Sequence, residues 1–101
     1  MMVVLGPSSP SLGRGVAEML GAKAVPVEYK NFPDGESYVR VAGGVKGEDV
    51  VLVQTTYPQP DKRLIELLLL IDALKDLEAA RITVVVPYMA YARQDTRFRE
   101  G

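Results

Sequence analysis

Cysteine is absent from the 101 residues, which excludes disulfides and thiol chemistry and is compatible with a reducing compartment. Histidine is absent as well, so no imidazole is available as a general base or metal ligand. Neither sign of charge is in excess. Twelve basic residues against 13 acidic ones leave a formal net charge of -1. No overall field therefore draws the chain to nucleic acid or to an anionic membrane, and any anion site has to be local. No apolar run is long enough for a membrane span or a signal h-region, and residues 1–6 carry no basic n-region, so the chain reads as cytoplasmic. Asn31 is the only asparagine and glutamines are few, a bias found in some heat-adapted proteins.

What is present is an ordinary globular balance, 48% hydrophobic and 25% charged, in a length that accommodates one hydrophobic core. Residues 3–5 form a short apolar run closed by Gly6-Pro7-Ser8-Ser9-Pro10, which reads as a buried strand and a turn. Ser9 suits an N-cap and Pro10 the first helical position, with the helix running to about Leu20 and ending at Gly21 in a left-handed conformation. Residues 24–28 read as a second strand, 37–41 as a third, 43–48 as a turn, and 49–54 as a continuously apolar strand of the parallel-sheet kind. After a loop over 55–60, Pro60 and Asp61 open a helix with the stripe Leu64, Leu67, Leu68, Ile71, Leu74 and Leu77. Ile65, Leu69 and Leu70 widen that surface, so the helix is covered on a second side, either within its own domain or at a subunit interface. Residues 81–86 give a last buried strand, closed by Pro87. Strands joined through helices imply an α/β fold with a mainly parallel sheet flanked by helices. Its ligands are expected beyond the carboxyl ends of the strands.

Three segments carry candidate chemistry. Residues 88–99 pack Arg93, Arg97 and Arg99 with Tyr88, Tyr91 and Phe98 just past a buried strand. Guanidinium groups match phosphate oxygens and stay charged, and aromatic rings offer stacking faces; a solvated charged tail is the plain alternative. Asn31-Phe32-Pro33-Asp34-Gly35-Glu36 is either an ordinary turn or a stacking ring with two carboxylates that accept from a nucleoside. The loop with Ser8, Ser9, Ser11 and Gly6, Gly13, Gly15 either caps a helix or cradles an anion at its N-terminus. It is not a Walker A loop and lacks the dinucleotide glycine spacing.

Phe32-Pro33-Asp34-Gly35-Glu36 and Pro87-Tyr88-Met89-Ala90-Tyr91-Ala92-Arg93-Gln94-Asp95, at this separation and in this element order, closely resemble the ribose-phosphate pyrophosphokinases. The resemblance covers essentially the whole chain, and the closing Arg97-Phe98-Arg99-Glu100-Gly101 has an archaeal flavour. It implies a phosphoribosyltransferase-like sheet, incomplete at its C-terminal edge, with residues 1–101 as a partial N-terminal domain and the C-terminal domain absent. It implies an ATP site at a subunit boundary of a homo-oligomer. There Phe32, Asp34 and Glu36 of one subunit receive the adenine and ribose, and Arg93, Gln94 and Asp95 of its neighbour hold the same nucleotide. Arg97 and Arg99 are further phosphate contacts; Thr96 departs from the basic residue usual in bacterial and animal members, and no role is transferred to it.

The reaction implied is attack of ribose 5-phosphate O1 on the β-phosphorus of Mg2+-bound ATP, with AMP leaving. Such a displacement depends on cations and positioning. The family's metal-binding histidine, mobile-loop lysine and arginine, and acidic Gly-Gly-Thr loop are not among these residues. The chain thus has no catalytic or metal-ligating residue of its own and is expected to be inactive alone. A non-catalytic nucleotide-binding or oligomerisation module of the same fold is the rival reading, and a phosphoribosyltransferase a third. An unpaired edge strand leads us to expect self-association or domain swapping.

Overall fold

A computed structural model describes residues 1–101. Eight elements follow one another: β1 (Met2–Leu5), α1 (Pro10–Leu20), β2 (Lys23–Val25), β3 (Val27–Asn31), β4 (Ser37–Val41), β5 (Asp49–Val53), α2 (Pro60–Asp76) and β6 (Arg81–Val85). Four strands form a parallel sheet in the order β2-β1-β5-β6, while β3 and β4 form a separate antiparallel hairpin. The sequence reading put one strand over residues 24–28. Two strands in different sheets occupy that stretch, because Pro26 has no N–H to continue a ladder and separates them.

Connection β1-α1-β2 steps toward one edge of the sheet and β5-α2-β6 toward the other. Since parallel crossovers are right-handed, the two helices must fall on opposite faces. The strand alternation agrees. Val3, Leu5 and Val53 pack with Ala17 of α1, whereas Val4, Val50 and Leu52 pack with Leu67, Leu70 and Leu74 of α2 and with Val25, Val41 and Val45. The hairpin lies against α2 on that second face. No helix is long and apolar enough to cross a membrane.

Helix starts and stops follow the local chemistry, with one exception. Pro10 and Pro60 open the two helices, and Gly21 ends α1 at φ 61°, with the Ala22 N–H donating to the Ala17 carbonyl. Ser9 stands at the N-cap position but makes no side-chain cap bond; its Oγ accepts instead from the Thr55 N–H at 3.3 Å. The apolar stripe of α2 also differs from its sequence reading. Leu67, Leu70 and Leu74 are buried together with Glu66, while Leu68 and Leu77 are exposed, along with Ile65 and Leu69.

The reversal of strand order between β1 and β5 places a switch point at their carboxyl ends, and Gly6 sits there. Its N–H donates to the Val53 carbonyl at 2.8 Å. A Cβ at Gly6 would overlap that same carbonyl oxygen and the Gln54 side chain. Gly6→Ala is therefore expected to cost about 1–3 kcal/mol by forcing the two strand ends apart. Urea unfolding measures this, and an unchanged midpoint would show that the strand ends have room to part.

Candidate functional site

At a switch point two adjacent loops diverge and leave a crevice for ligand. Here those loops, residues 6–9 and 54–59, are tied together by polar side chains. The Ser8 N–H donates to Gln54 Oε1 at 3.1 Å, the Ser8 hydroxyl donates to the Thr55 carbonyl at 2.6 Å, and Gln54 Nε2 reaches the Arg63 carbonyl at 3.4 Å. Ser8 and Ser9 are thus committed to the neighbouring strand exit, and Ser9 does not cap α1.

Thr56 ties the same seam to the third loop. Its N–H and its hydroxyl both donate to the Tyr88 carbonyl, at 3.0 and 2.5 Å, and its Oγ1 accepts from the Ala90 N–H at 2.7 Å. Gln54 and Thr56 are both 0% exposed. Fully buried polar side chains are stable only when paired, and these pairs cross between chain segments more than 30 residues apart. The sequence reading passed over both residues. A polar Gln-Thr-Thr run directly after an apolar strand, before any glycine or proline, was the available signal.

Past this anchor, beyond the carboxyl end of β6, the chain continues as an irregular segment in which Arg93, Gln94, Asp95, Arg97 and Arg99 are all exposed. None of the three arginines is in an ion pair. Their charge is available to an anion rather than neutralised by the protein.

The other candidate segment is the tip of the hairpin. The Phe32 N–H donates to the Glu36 carbonyl and the Gly35 N–H to the Phe32 carbonyl, with Gly35 at φ 96°, where a side chain is strained. Asp34 Oδ1 accepts from the Glu36 N–H at 3.0 Å, which stiffens the turn. Phe32 is 40% exposed, edge-on to Tyr38 at 6.2 Å, with the Lys30 ammonium 5.2 Å from its ring centre. Beside the turn a cavity of about 530 Å3 is lined by Glu36, Ser37, Asp61, Lys62, Ile65 and Leu69 with Gly35. Lys62 Nζ also bonds Asn31 Oδ1. The structure thus keeps Phe32, Asp34 and Glu36 together in one turn and Arg93, Gln94 and Asp95 together in another segment. No hydrogen bond or ring contact joins the two within one chain.

Under the hairpin lies a buried ion pair that the sequence reading also missed. Glu66, 0% exposed, accepts from Arg63 Nη1 at 3.1 and 3.0 Å and from the Ser37 hydroxyl at 3.5 Å. The Arg63 guanidinium stands 5.7 Å over the Tyr29 ring. These contacts join the first turns of α2 to both strands of the hairpin.

The sequence pattern of the N-terminal domain of ribose phosphate pyrophosphokinase matches residues 1–101. A ribose-phosphate pyrophosphokinase of Methanobrevibacter smithii is 51% identical over 100 residues, covering 99% of this chain and 33% of the relative. A crystal structure of phosphoribosylpyrophosphate synthetase from Mycobacterium smegmatis superposes with a TM-score of 0.88 at 35% identity, over 99% of this chain and 33% of that one. A purine phosphoribosyltransferase from Pyrococcus horikoshii shares the fold, with a TM-score of 0.65 at 16% identity over 88% of this chain and 63% of that one. The chain spans about a third of the length of the curated relatives it matches.

Proposed function

Because the chain belongs to the family of N-terminal domains of ribose-phosphate pyrophosphokinase, we propose that it is the nucleotide-holding part of an enzyme that transfers diphosphate from ATP to ribose 5-phosphate. The products are phosphoribosyl pyrophosphate and AMP. In this reading Phe32 stacks on the adenine, Asp34 and Glu36 accept from its amino edge and the ribose, and Arg93 and Gln94 grip the phosphates with Asp95. Arg97 and Arg99 add to the positive field. The two half-sites come from different copies in a homo-oligomer, which is consistent with their separation in one chain.

The observation that carries the reading is the unpaired state of Arg93, Arg97 and Arg99 beyond the carboxyl ends of a parallel sheet. Ligands collect at that edge, and free guanidinium groups there favour the charge that accumulates on a transferring phosphoryl group. No group of three His, Cys, Asp or Glu side chains converges in this chain. The residues therefore do not build a magnesium cage, and the Mg2+ of the reading travels on the ATP phosphates. In this reading the 101 residues supply nucleotide contacts and do not complete the transfer by themselves. The assignment carries a cytoplasmic location with it. A second reading, an oligomerisation or nucleotide-binding module without turnover, is favoured by the exposed Ile65, Leu68 and Leu69 on α2.

Calorimetric titration with Mg-ATP tests the assignment. Phe32→Ala and Arg93→Ala are each expected to weaken binding by roughly tenfold to a hundredfold, the value of one base stack or one charge-assisted phosphate contact. Loss of neither, in a chain that still binds ATP, moves the site elsewhere.

A further inference from the structure

The arginine segment has few means of holding a direction. It is irregular, and of all residues after β6 only Ala90 is buried. An exposed segment of this kind samples many orientations, and a phosphate-binding conformation then makes up a small share of them. Yet the segment leaves the sheet through a point where the backbone is held from two sides. Thr56 contributes three bonds there, two to the Tyr88 carbonyl and one from the Ala90 N–H, all at or below 3.0 Å. Immediately beyond, Tyr91 has φ 63° although it is not glycine and is 70% exposed. A left-handed tyrosine is strained and persists only when its neighbours over-determine the chain path. Its own side chain, mostly in solvent, does not supply that constraint. The fixed carbonyl of Tyr88 and the fixed N–H of Ala90 do.

From this geometry we propose that Thr56 is a positioning residue for nucleotide phosphates: its hydroxyl locks the exit of β6 so that residues 91–99 present Arg93 and Gln94 in one orientation. The proposal rests on the assignment of Arg93 and Gln94 to the nucleotide made above. Thr56 touches no ligand; it acts through Tyr88 and Ala90. The Oγ1 must be both donor and acceptor to do this, a combination available to threonine or serine and not to valine, which has the same shape.

The experiment compares wild type, Thr56→Val and Thr56→Ser, each checked for an intact fold by thermal melting, in titrations with ATP and with adenosine. Amide hydrogen exchange is followed at Ala90. Thr56→Val should bind ATP about tenfold more weakly, the effect of leaving the competent orientation about one-tenth populated. Its adenosine affinity should stay unchanged, because the base meets Phe32 on the hairpin. Thr56→Ser should bind ATP like wild type, and the Ala90 amide, protected in wild type and in Thr56→Ser, should exchange freely in Thr56→Val. Equal loss of ATP and adenosine binding, or retained ATP affinity in folded Thr56→Val, overturns the proposal. If Thr56→Val does not fold, an Ala90 amide in wild type that exchanges as fast as those of residues 93–99 overturns it as well. Wild type that binds neither ligand refutes the nucleotide assignment instead, and the exchange at Ala90 still judges the anchor.

Discussion

Glu66→Ala is expected to lower folding stability by about 3–5 kcal/mol, the effect of stripping one partner from a buried ion pair. The carboxylate is wholly inside the protein and receives Arg63 Nη1 on both oxygens and the Ser37 hydroxyl on one. Arg63 is itself mostly buried, and its Nε has no partner. Without Glu66 the guanidinium keeps the desolvation cost and loses the compensating charge. Its position over Tyr29 is a weak substitute. Replacing both residues with methionine removes the uncompensated charge as well, so the double variant should be more stable than Glu66→Ala alone. Urea unfolding of the three chains measures the difference. A loss below about 1 kcal/mol in Glu66→Ala would mean that the pair behaves like an exposed surface bridge. The hairpin carrying Phe32 leans on this pair through Ser37 and Tyr29, so nucleotide binding should weaken along with stability.

Mixing two defective chains should restore tight binding that neither has. Phe32→Ala keeps an intact arginine segment and Arg93→Ala keeps an intact aromatic turn. If a nucleotide sits between one copy's turn and the next copy's arginine segment, a mixed dimer holds one site with both halves whole and one with both halves broken. Random exchange in a twofold assembly then gives about one fully competent site in four. Titration of the mixture should show this fraction binding ATP with wild-type affinity, roughly tenfold to a hundredfold above either variant alone. Calorimetry after subunit exchange reads the number of tight sites directly. A mixture that binds no better than the average of its components places both halves of the site in one copy or removes one of them from the site.

Much of the architecture is legible in the sequence. Pro10 and Pro60 at helix starts, Gly21 at a helix end, and the continuous apolar run of β5 each have local causes, and each element stands where its local chemistry put it. Residues 37–41 alternate as a strand and form β4 over those residues. The division of residues 24–28 between β2 and β3 also has a local cause, Pro26, which has no N–H to continue a ladder. The face of α2 was a harder case. Leucines surround that helix on several sides, and periodicity has no means of ranking Leu68 against Leu70 when both are apolar. Contact with Val4, Leu52 and the hairpin makes the difference.

For the candidate site the division is similar. The order of residues alone marked two compact clusters, an aromatic and acidic turn at 32–36 and an arginine-rich run at 93–99, because in each the relevant groups are neighbours along the chain. It also set the alternation of strands and helices from which a parallel sheet follows. Where those clusters lie, and what holds them, came from the packed chain. Thr56 meets Tyr88 and Ala90 across more than 30 residues, and Glu66 meets Ser37 across 29. A polar side chain is worth burying only once its partner arrives, and that partner is specified by the fold rather than by adjacent residues.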